Sequence, residues 1–518
     1  MAQSRAYDLL KKISFERRGG TTEELDCIAI LQSEIEALGV KSYTEEFDID
    51  SSDIQTCRLE VLEPYYRNYT VTGYKMSGST DPRGIEGHFQ YVEDGLPVNL
   101  YQAKGKIVLI NNRFDVPTYK RLLDSKVAGF ITTSGSLYDD LDKTDLETRS
   151  LRERQYRYGK IPGVTMRIKD AEELVLSNPK KMRLTLVQNE GKTKSRNLIC
   201  EIKGSTNPDE VVCFTAHYDS VEFSSGAYDN GTGSVTIMEL LRYFVMNKPK
   251  RTVRFIWCGS EEMGLLGSKA YVNDHKDILD KIVLNINLDM TGVVLGKDIA
   301  VCTAENSLAN YIDYMGKEIG FPIRVRQGVY SSDSTPFADN GIPAVSFARI
   351  SANGGAEIHT RKDVIDFITP EYLDNTISFL KEFSNRVVNS HTFPVERSIP
   401  KNMKEELDKY LGRNDPKLDD EKPIEEEEKV LEKPQVKETP KVVEKKDELL
   451  LEAVIFMMNN KVISSNKLQS EFYLGQSRAN AILNKLVDLK IIGNSDQGPV
   501  FLTDLDTAVR IVTNYLEN

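Results

Sequence analysis

Long apolar runs are missing from this 518-residue chain: no stretch of about 18 apolar residues occurs, which excludes a transmembrane helix. The first residues, MAQSRAYDLLKKISFERRGG, hold no apolar core of the kind a secretory signal needs, so a cytoplasmic location is expected. Cysteine is sparse. Six residues at positions 27, 57, 200, 213, 258 and 302, with no CxxC pair, fit reduced thiols better than a disulfide framework. A basic region is missing as well: the net charge of −12 divides into −7 over 1–400, −3 over 401–447 and −2 over 448–518. That balance argues against a protein that coats nucleic acid or anionic membrane. Histidine is scarce, at five residues, so its positions carry information.

What is present is a globular chain. With 40% hydrophobic residues it can bury a core, and its length predicts about three domains. One break in composition is clear. Of the 47 residues in 401–447, 27 are charged, and Pro416, Pro423, Pro434 and Pro440 are scattered among them. Such a segment cannot bury a core and its prolines oppose a continuous helix, so 396–447 is expected to be a charged linker. It separates a large N-terminal part from a small module, 448–518.

Within the N-terminal part, strand-like and helix-like segments alternate. VVCFTA (211–216), TVRFIWC (252–258), VLNINLD (283–289) and PAVSFA (343–348) read as buried strands, and GSVTIMELLRYFV (233–245) has helical apolar spacing. This alternation predicts an α/β fold with a mostly parallel sheet covered on both faces. Sites in such folds lie at the carboxyl ends of the strands. The stretch 55–190, with KGKIVLINN, VAGFITTSG and IPGVTM, breaks the pattern and reads as a small β-rich insertion. The catalytic domain is then expected over 1–54 and 191–395.

Polar residues gather at the expected strand ends: His217 and Asp219 in AHYDS, Asp229 in GAYDNGTG, Glu261 and Glu262 in CGSEEMG, Asp289 in NLDMTG and His359 in IHTRKD. A lone His-x-Asp or Glu-Glu is weak. Four apolar strands that each run into such a residue, using two of only five histidines, are a stronger pattern; His88, His275 and His391 have no such company and read as surface or structural. Two imidazoles and three carboxylates (His217, Asp229, Glu262, Asp289, His359) suit two Zn²⁺ ions if Asp229 bridges them. A metal pair about 3.5–4 Å apart can activate a shared water and polarise a carbonyl. Glu261, the spare carboxylate, is then the candidate general base, and Asp219 suits a position behind His217, fixing its tautomer.

The series HYD, GAYDNGTG, GSEEMGLLGS, NLDMTG, SSDSTPFADNGIPAVSF and IHTRKD resembles the co-catalytic dizinc aminopeptidases of the aminopeptidase S and aminopeptidase Y type, over about residues 10–390, with RRGGTTEE resembling their N-terminal helix entry. The resemblance implies a phosphorylase/hydrolase-like fold with a six- to nine-stranded mixed sheet. It assigns His217 and Asp289 to one zinc and Glu262 and His359 to the other, with Asp229 bridging and a cis peptide at Asp229–Asn230. It implies an exopeptidase that acts on peptides, with carboxypeptidases and glutaminyl cyclases as relatives of the same fold. A reading from another class, a DNA- or partner-binding adaptor with the peptidase half as scaffold, stays open. Tyr330, before SSDS, is a candidate to polarise the substrate carbonyl or a packing residue. The VAGFITTSG segment resembles a protease-associated domain.

Residues 448–518 read as three helices and a hairpin. SxxxLQxxFxLGxxRAxxILxxL followed by a glycine-containing hairpin resembles the winged-helix gamma domain of FtsK-type DNA translocases, which would bring Arg478, Asn480 and Asn484 towards a major groove. Six basic against eight acidic residues in this module favour a protein partner or dimerisation over duplex DNA. Phe456, Met457 and Met458 are expected in its core.

Overall fold

The run Val211–His217 is buried at every position, and the same holds for Ile282–Leu288. Continuous apolar segments of this kind are what a parallel strand covered on both faces requires. In the computed structural model, which describes residues 4–111, 114–140, 143–413, 449–472, 476–495 and 498–517, these segments form the centre of a mixed sheet. The chain divides into two compact units, Met1–Glu421 and Lys422–Asn518.

The sheet of the first unit has ten strands among the described residues. From one edge, the order is Ile323–Gln327, Gly296–Thr303, Ala344–Ser351, Ile282–Leu288, Asn207–His217, Arg251–Cys258, Lys181–Ile202, Ser42–Glu63 and Arg67–Tyr69, and Ile85–Gly87 joins Lys181–Ile202 beside this path. The four central strands are parallel; their antiparallel neighbours on both sides make the sheet mixed rather than mostly parallel. Helices Arg5–Ile13, Thr232–Met246 and Pro370–Asn389 contribute to the main core, where Phe214, Phe244, Phe255 and Trp257 are fully buried.

The strand count exceeds the expected six to nine because Ser42–Glu63 and Lys181–Ile202 each run 22 residues. They carry the sheet past the catalytic core and, beyond a register shift between Ile54 and Thr56, collect the two short strands. That shift falls at the edge of the expected insertion. A second, five-stranded sheet follows in the order Val71–Gly73, Gly163–Arg167, Gly129–Ser134, Ile107–Leu109, Phe89–Tyr91. Three of its four pairings are parallel and it has its own helices, Val116–Asp124 and Ile168–Ser177, so this region is itself α/β rather than simply β-rich.

The linker expectation over 396–447 needs correction at its start. Lys401–Tyr410 is a helix, and Met403 and Leu407, four residues apart on one face, are buried with Ala338, Ala344 and Ile399. High charge on the other faces hid this pair in the composition. Residues 414–448 lie outside the described residues.

The second unit contains helices Leu450–Asn459, Ser465–Phe472 and Gln476–Asp488, then the hairpin Ile492–Ser495 with Gly498–Phe501, then a helix, Leu505–Glu517, that the sequence reading lacked. Asp504 starts that last helix by accepting the Thr507 N–H at 2.9 Å, and its Ala508 and Val512 face the core. Met457 is buried there, with Phe456 and Met458 packed against the core. The side chains of Arg478 and Asn480 lie outside the described residues. No described helix is long and apolar enough to cross a membrane.

Candidate metal centre

The strand order fixes where the chemistry sits. His217 ends Asn207–His217, Asp289 follows Ile282–Leu288, Glu261 and Glu262 follow Arg251–Cys258, and His359 lies in the loop after Ala344–Ser351. All of these come from the carboxyl ends of the four parallel strands, where side chains from neighbouring strands can converge. Asp229 is delivered separately, by the turn Ala227–Gly231 that opens helix Thr232–Met246. The Asp229–Asn230 peptide is cis, as the resemblance implied.

Local contacts explain how the turns hold their geometry. The Asn230 side chain donates to the Leu288 carbonyl at 2.9 Å and accepts the Met290 N–H at 3.1 Å, so it clamps both neighbours of Asp289 and aligns that residue with Asp229. Gly233 permits this: a Cβ there would stand 2.2 Å from Asn230 Oδ1 and 2.3 Å from the Leu288 carbonyl oxygen. The Asp219 carboxylate accepts the N–H groups of Glu261 at 3.0 Å and Glu262 at 3.2 Å, which anchors the turn carrying both glutamates. It also lies 3.5 Å from His217 Nδ1. Asp219 therefore contacts His217 and both glutamates at once, more than the support of His217 expected of it. In the RRGG segment, Arg17 is fully buried and donates to the carbonyls of Phe15 at 3.0 Å and Gly226 at 2.7 Å, tying the N-terminal segment to the Asp229 turn. Gly19 is needed because a Cβ there would meet Ser260 Oγ at 1.9 Å.

Two donor groups result, His217 with Asp229 and Asp289, and Asp229 with Glu262 and His359; within each, the donor atoms lie within 4.8 Å of one another. His217 Nε2 is 3.2 Å from Asp229 Oδ1 and 3.7 Å from Asp289 Oδ1. His359 Nε2 is 3.2 Å from the other oxygen, Asp229 Oδ2, and 3.0 Å from Glu262 Oε2. One Asp229 oxygen thus faces each group, which is the disposition of a bridging carboxylate.

The electrostatics ask for positive charge. Burial works to lower the pKa of the His217 imidazole, yet Glu261 and the carboxylates of Asp219, Asp229 and Asp289 override it and raise the group well above its usual value. His359 likewise goes up to about 11 through Asp229 and Glu262. Burial and the Asp229 charge push the Glu262 carboxyl up to about 7, and burial holds Glu261 well above the usual carboxylate range. Glu262 Oε1 and Asp289 Oδ1 are buried and accept no hydrogen bond among the described residues. Buried oxygens without donors are costly, and a cation relieves that cost. Imidazole and carboxylate donors suit Zn²⁺, so the residues present fit the metal pair.

Some contributors escaped the sequence reading. The Asp363 carboxylate accepts the N–H groups of Tyr228 at 2.7 Å and Asp229 at 3.1 Å, holding Asp229 from behind. It belongs to IHTRKD, so the signal was within a segment already singled out. Arg361, from the same segment, forms a two-pronged ion pair with Asp145 of the second-sheet region, with Nε at 2.7 Å. The Tyr330 hydroxyl is buried without a hydrogen-bond partner among the described residues, and burial beside Asp289 and Asp229 raises its pKa well above normal. His275 pairs with Glu45 at 2.8 Å, the structural role expected of it.

Comparison with known proteins follows the same lines. Residues 197–384 match Peptidase family M28. Aminopeptidase YwaD of Bacillus subtilis (strain 168) is 29% identical over 420 residues, 77% of this chain and 87% of that protein. Vacuolar membrane protease of Saccharomyces cerevisiae (strain YJM789) is 32% identical over 181 residues, 34% of this chain but only 18% of that protein. Among solved structures, BSAP, a zinc aminopeptidase from Bacillus subtilis, superposes with a TM-score of 0.63 at 26% identity, covering 76% of this chain and 96% of that one. The segment that matches Peptidase family M28 contains every residue of the two donor groups.

Proposed function

We propose that the chain is a zinc-dependent aminopeptidase that hydrolyses N-terminal residues from peptides. The observation that carries this reading is the shared carboxylate: Asp229 presents one oxygen to His217 and the other to His359. In this reading His217 and Asp289 would hold one zinc, Glu262 and His359 the other, and Asp229 would be shared between them. When bound, the two ions would supply Lewis acidity to a water and to the scissile carbonyl. The chain's own residues do the rest. Glu261, whose N–H is held by Asp219 in the turn beside Glu262, takes the proton from the attacking water and returns it to the departing amine. Asp219 keeps His217 oriented and fixes the turn that aims Glu261. Tyr330, buried near Asp229 and Asp289, is placed to donate to the developing oxyanion.

The division of labour along the chain belongs to the same proposal. Residues 1–54 and 191–395 form the peptidase domain, and 55–190 a protease-associated-like insertion. Residues 448–518 form a winged-helix module, a reading supported by three helices followed by a hairpin, and its acidic balance suits a protein partner. The function is tested with matched peptides whose ends are blocked one at a time. The zinc-loaded protein is expected to cleave a peptide with a free N-terminus and amidated C-terminus and to spare its N-acetylated counterpart. The reverse preference would assign it to carboxypeptidases.

A further inference from the structure

The turn that carries Glu261 and Glu262 is flanked by basic residues, Lys269 from inside the family-matched segment and Arg152 from outside it. Arg152 precedes the short helix Glu153–Tyr156 in the second-sheet region. Its guanidinium lies 3.9 Å from the position a Cβ on Gly264 would take. Gly264 belongs to the turn that presents the two glutamates, and its N–H donates to the Glu261 carbonyl at 2.7 Å. Lys269 reaches the same turn from helix Leu266–Asp274 and donates to the Gly264 carbonyl at 2.8 Å. Tyr410, at the end of helix Lys401–Tyr410, closes this side with its hydroxyl 2.5 Å from Ser331 Oγ, and both Arg152 and Arg154 act electrostatically on it, as does Glu261.

These cations form no ion pairs among the described residues. Neighbouring basic residues are paired: Arg149 with Glu147, Lys160 with Glu190, Arg361 with Asp145 and Lys362 with Glu357. Among the described residues, no carboxylate lies within 4.0 Å of the charged groups of Arg152, Arg154 or Lys269, and the intervening Glu153 pairs with neither arginine. Burial, followed by the charge of Arg152, lowers the pKa of Lys269, consistent with crowded positive charge.

We propose that Arg152, Arg154 and Lys269 form a subsite that receives a carboxylate of the peptide substrate. Arginine recognises carboxylates through two parallel N–H donors, and doing so beside a partly buried lysine relieves like-charge repulsion as it binds. The carboxylate comes from an acidic side chain or from the free C-terminus of a short peptide. This inference rests on the peptidase reading and deepens it. The test measures kcat/KM for matched substrates on the full-length, zinc-loaded chain. One arm compares di- and tripeptides carrying a free or amidated C-terminus; the other compares Glu with Gln at each position of amidated peptides. The arm that shows the preference identifies the source.

Wild-type protein is expected to prefer the carboxylate member of a pair by about 10-fold or more, the range of a hydrogen bond to a charged group. The preference should shrink as salt is raised and collapse to within about twofold in Arg152→Gln/Arg154→Gln. Arg152→Glu should shift selection towards Lys-containing peptides. Each ratio is taken within one preparation, so partial unfolding of a variant does not imitate the result. Equal rates on neutral and acidic members, or a preference that survives in the double variant, would overturn the subsite while leaving the peptidase intact. Absence of hydrolysis on every peptide would overturn both.

Discussion

The two compact units differ in what they bury. In the second, the core consists of Leu450, Val454, Met457, Leu468, Ile482, Leu486, Ile491, Ile492, Val512 and smaller apolar partners, and no polar or charged side chain is buried among its described residues. The first unit has a larger apolar core but also buries His217, Asp219, Asp229, Asp289, Asp333 and Asp363 at the carboxyl end of its central strands. Burying charge is unfavourable unless it is paired or coordinates a metal, so folding alone gives no reason to collect five acids around one imidazole. The contrast separates a region organised for packing from one in which packing serves chemistry.

Removing one group from each region breaks the comparison most sharply. Glu261→Gln is expected to lower kcat by about 10²–10⁴ with an unchanged thermal midpoint, the usual contribution of a general base. A variant that keeps full activity removes Glu261 from its role. Leu486→Ala, in the apolar core of the second unit, should cost that unit about 2–5 kcal/mol in denaturant unfolding yet leave kcat/KM on short peptides within about twofold. A parallel loss of activity would mean that the second unit takes part in catalysis.

A smaller effect is expected where the second-sheet region touches the centre. Asp145→Ala frees Arg361, two residues from His359, and should weaken one of two zinc-binding events by about 10-fold in calorimetric titration while the other is unaffected. Equal weakening of both would count against separate metal sites. The smallest effect concerns the metal-free protein. Glu262, raised to about 7, and His359, raised to about 11, both hold protons more tightly in the folded chain than when unfolded. The stability this gives is present at low pH and is lost as pH rises, between about 4.5 and 7 for Glu262 and between about 6.5 and 11 for His359. The thermal midpoint of the first unit should therefore fall by a few degrees, on the order of 2–4 °C per kcal/mol, from pH 6 to 9 after chelation. Added zinc should abolish the fall, and the second unit should show none.

The sequence disclosed the centre better than its surroundings, for a physical reason. His217, Asp289 and the glutamates each end or follow a buried apolar strand and are marked by the hydrophobic run before them. Asp145 and Arg361 are 216 positions apart and carry no such mark. Arg152 was equally invisible, because its place beside Gly264 depends on how the second-sheet region lies against the first. The antiparallel flank of the sheet was missed since Ser42–Glu63 buries only Phe47, Ile49, Leu59 and Val61, spaced among exposed and half-buried residues, instead of forming an apolar run. Helix Lys401–Tyr410 was mistaken for linker because two apolar residues, Met403 and Leu407, suffice to dock it while its other faces are charged.

The account depends most on Asp229 serving two metals at once. Zinc stoichiometry by equilibrium dialysis, measured on the wild-type chain and on Asp229→Asn, tests that directly. Two zinc ions per wild-type chain, with both binding events weakened in the variant, are the expected result. One zinc per wild-type chain, or a variant that loses a single ion and keeps the other at full affinity, would contradict the bridged centre.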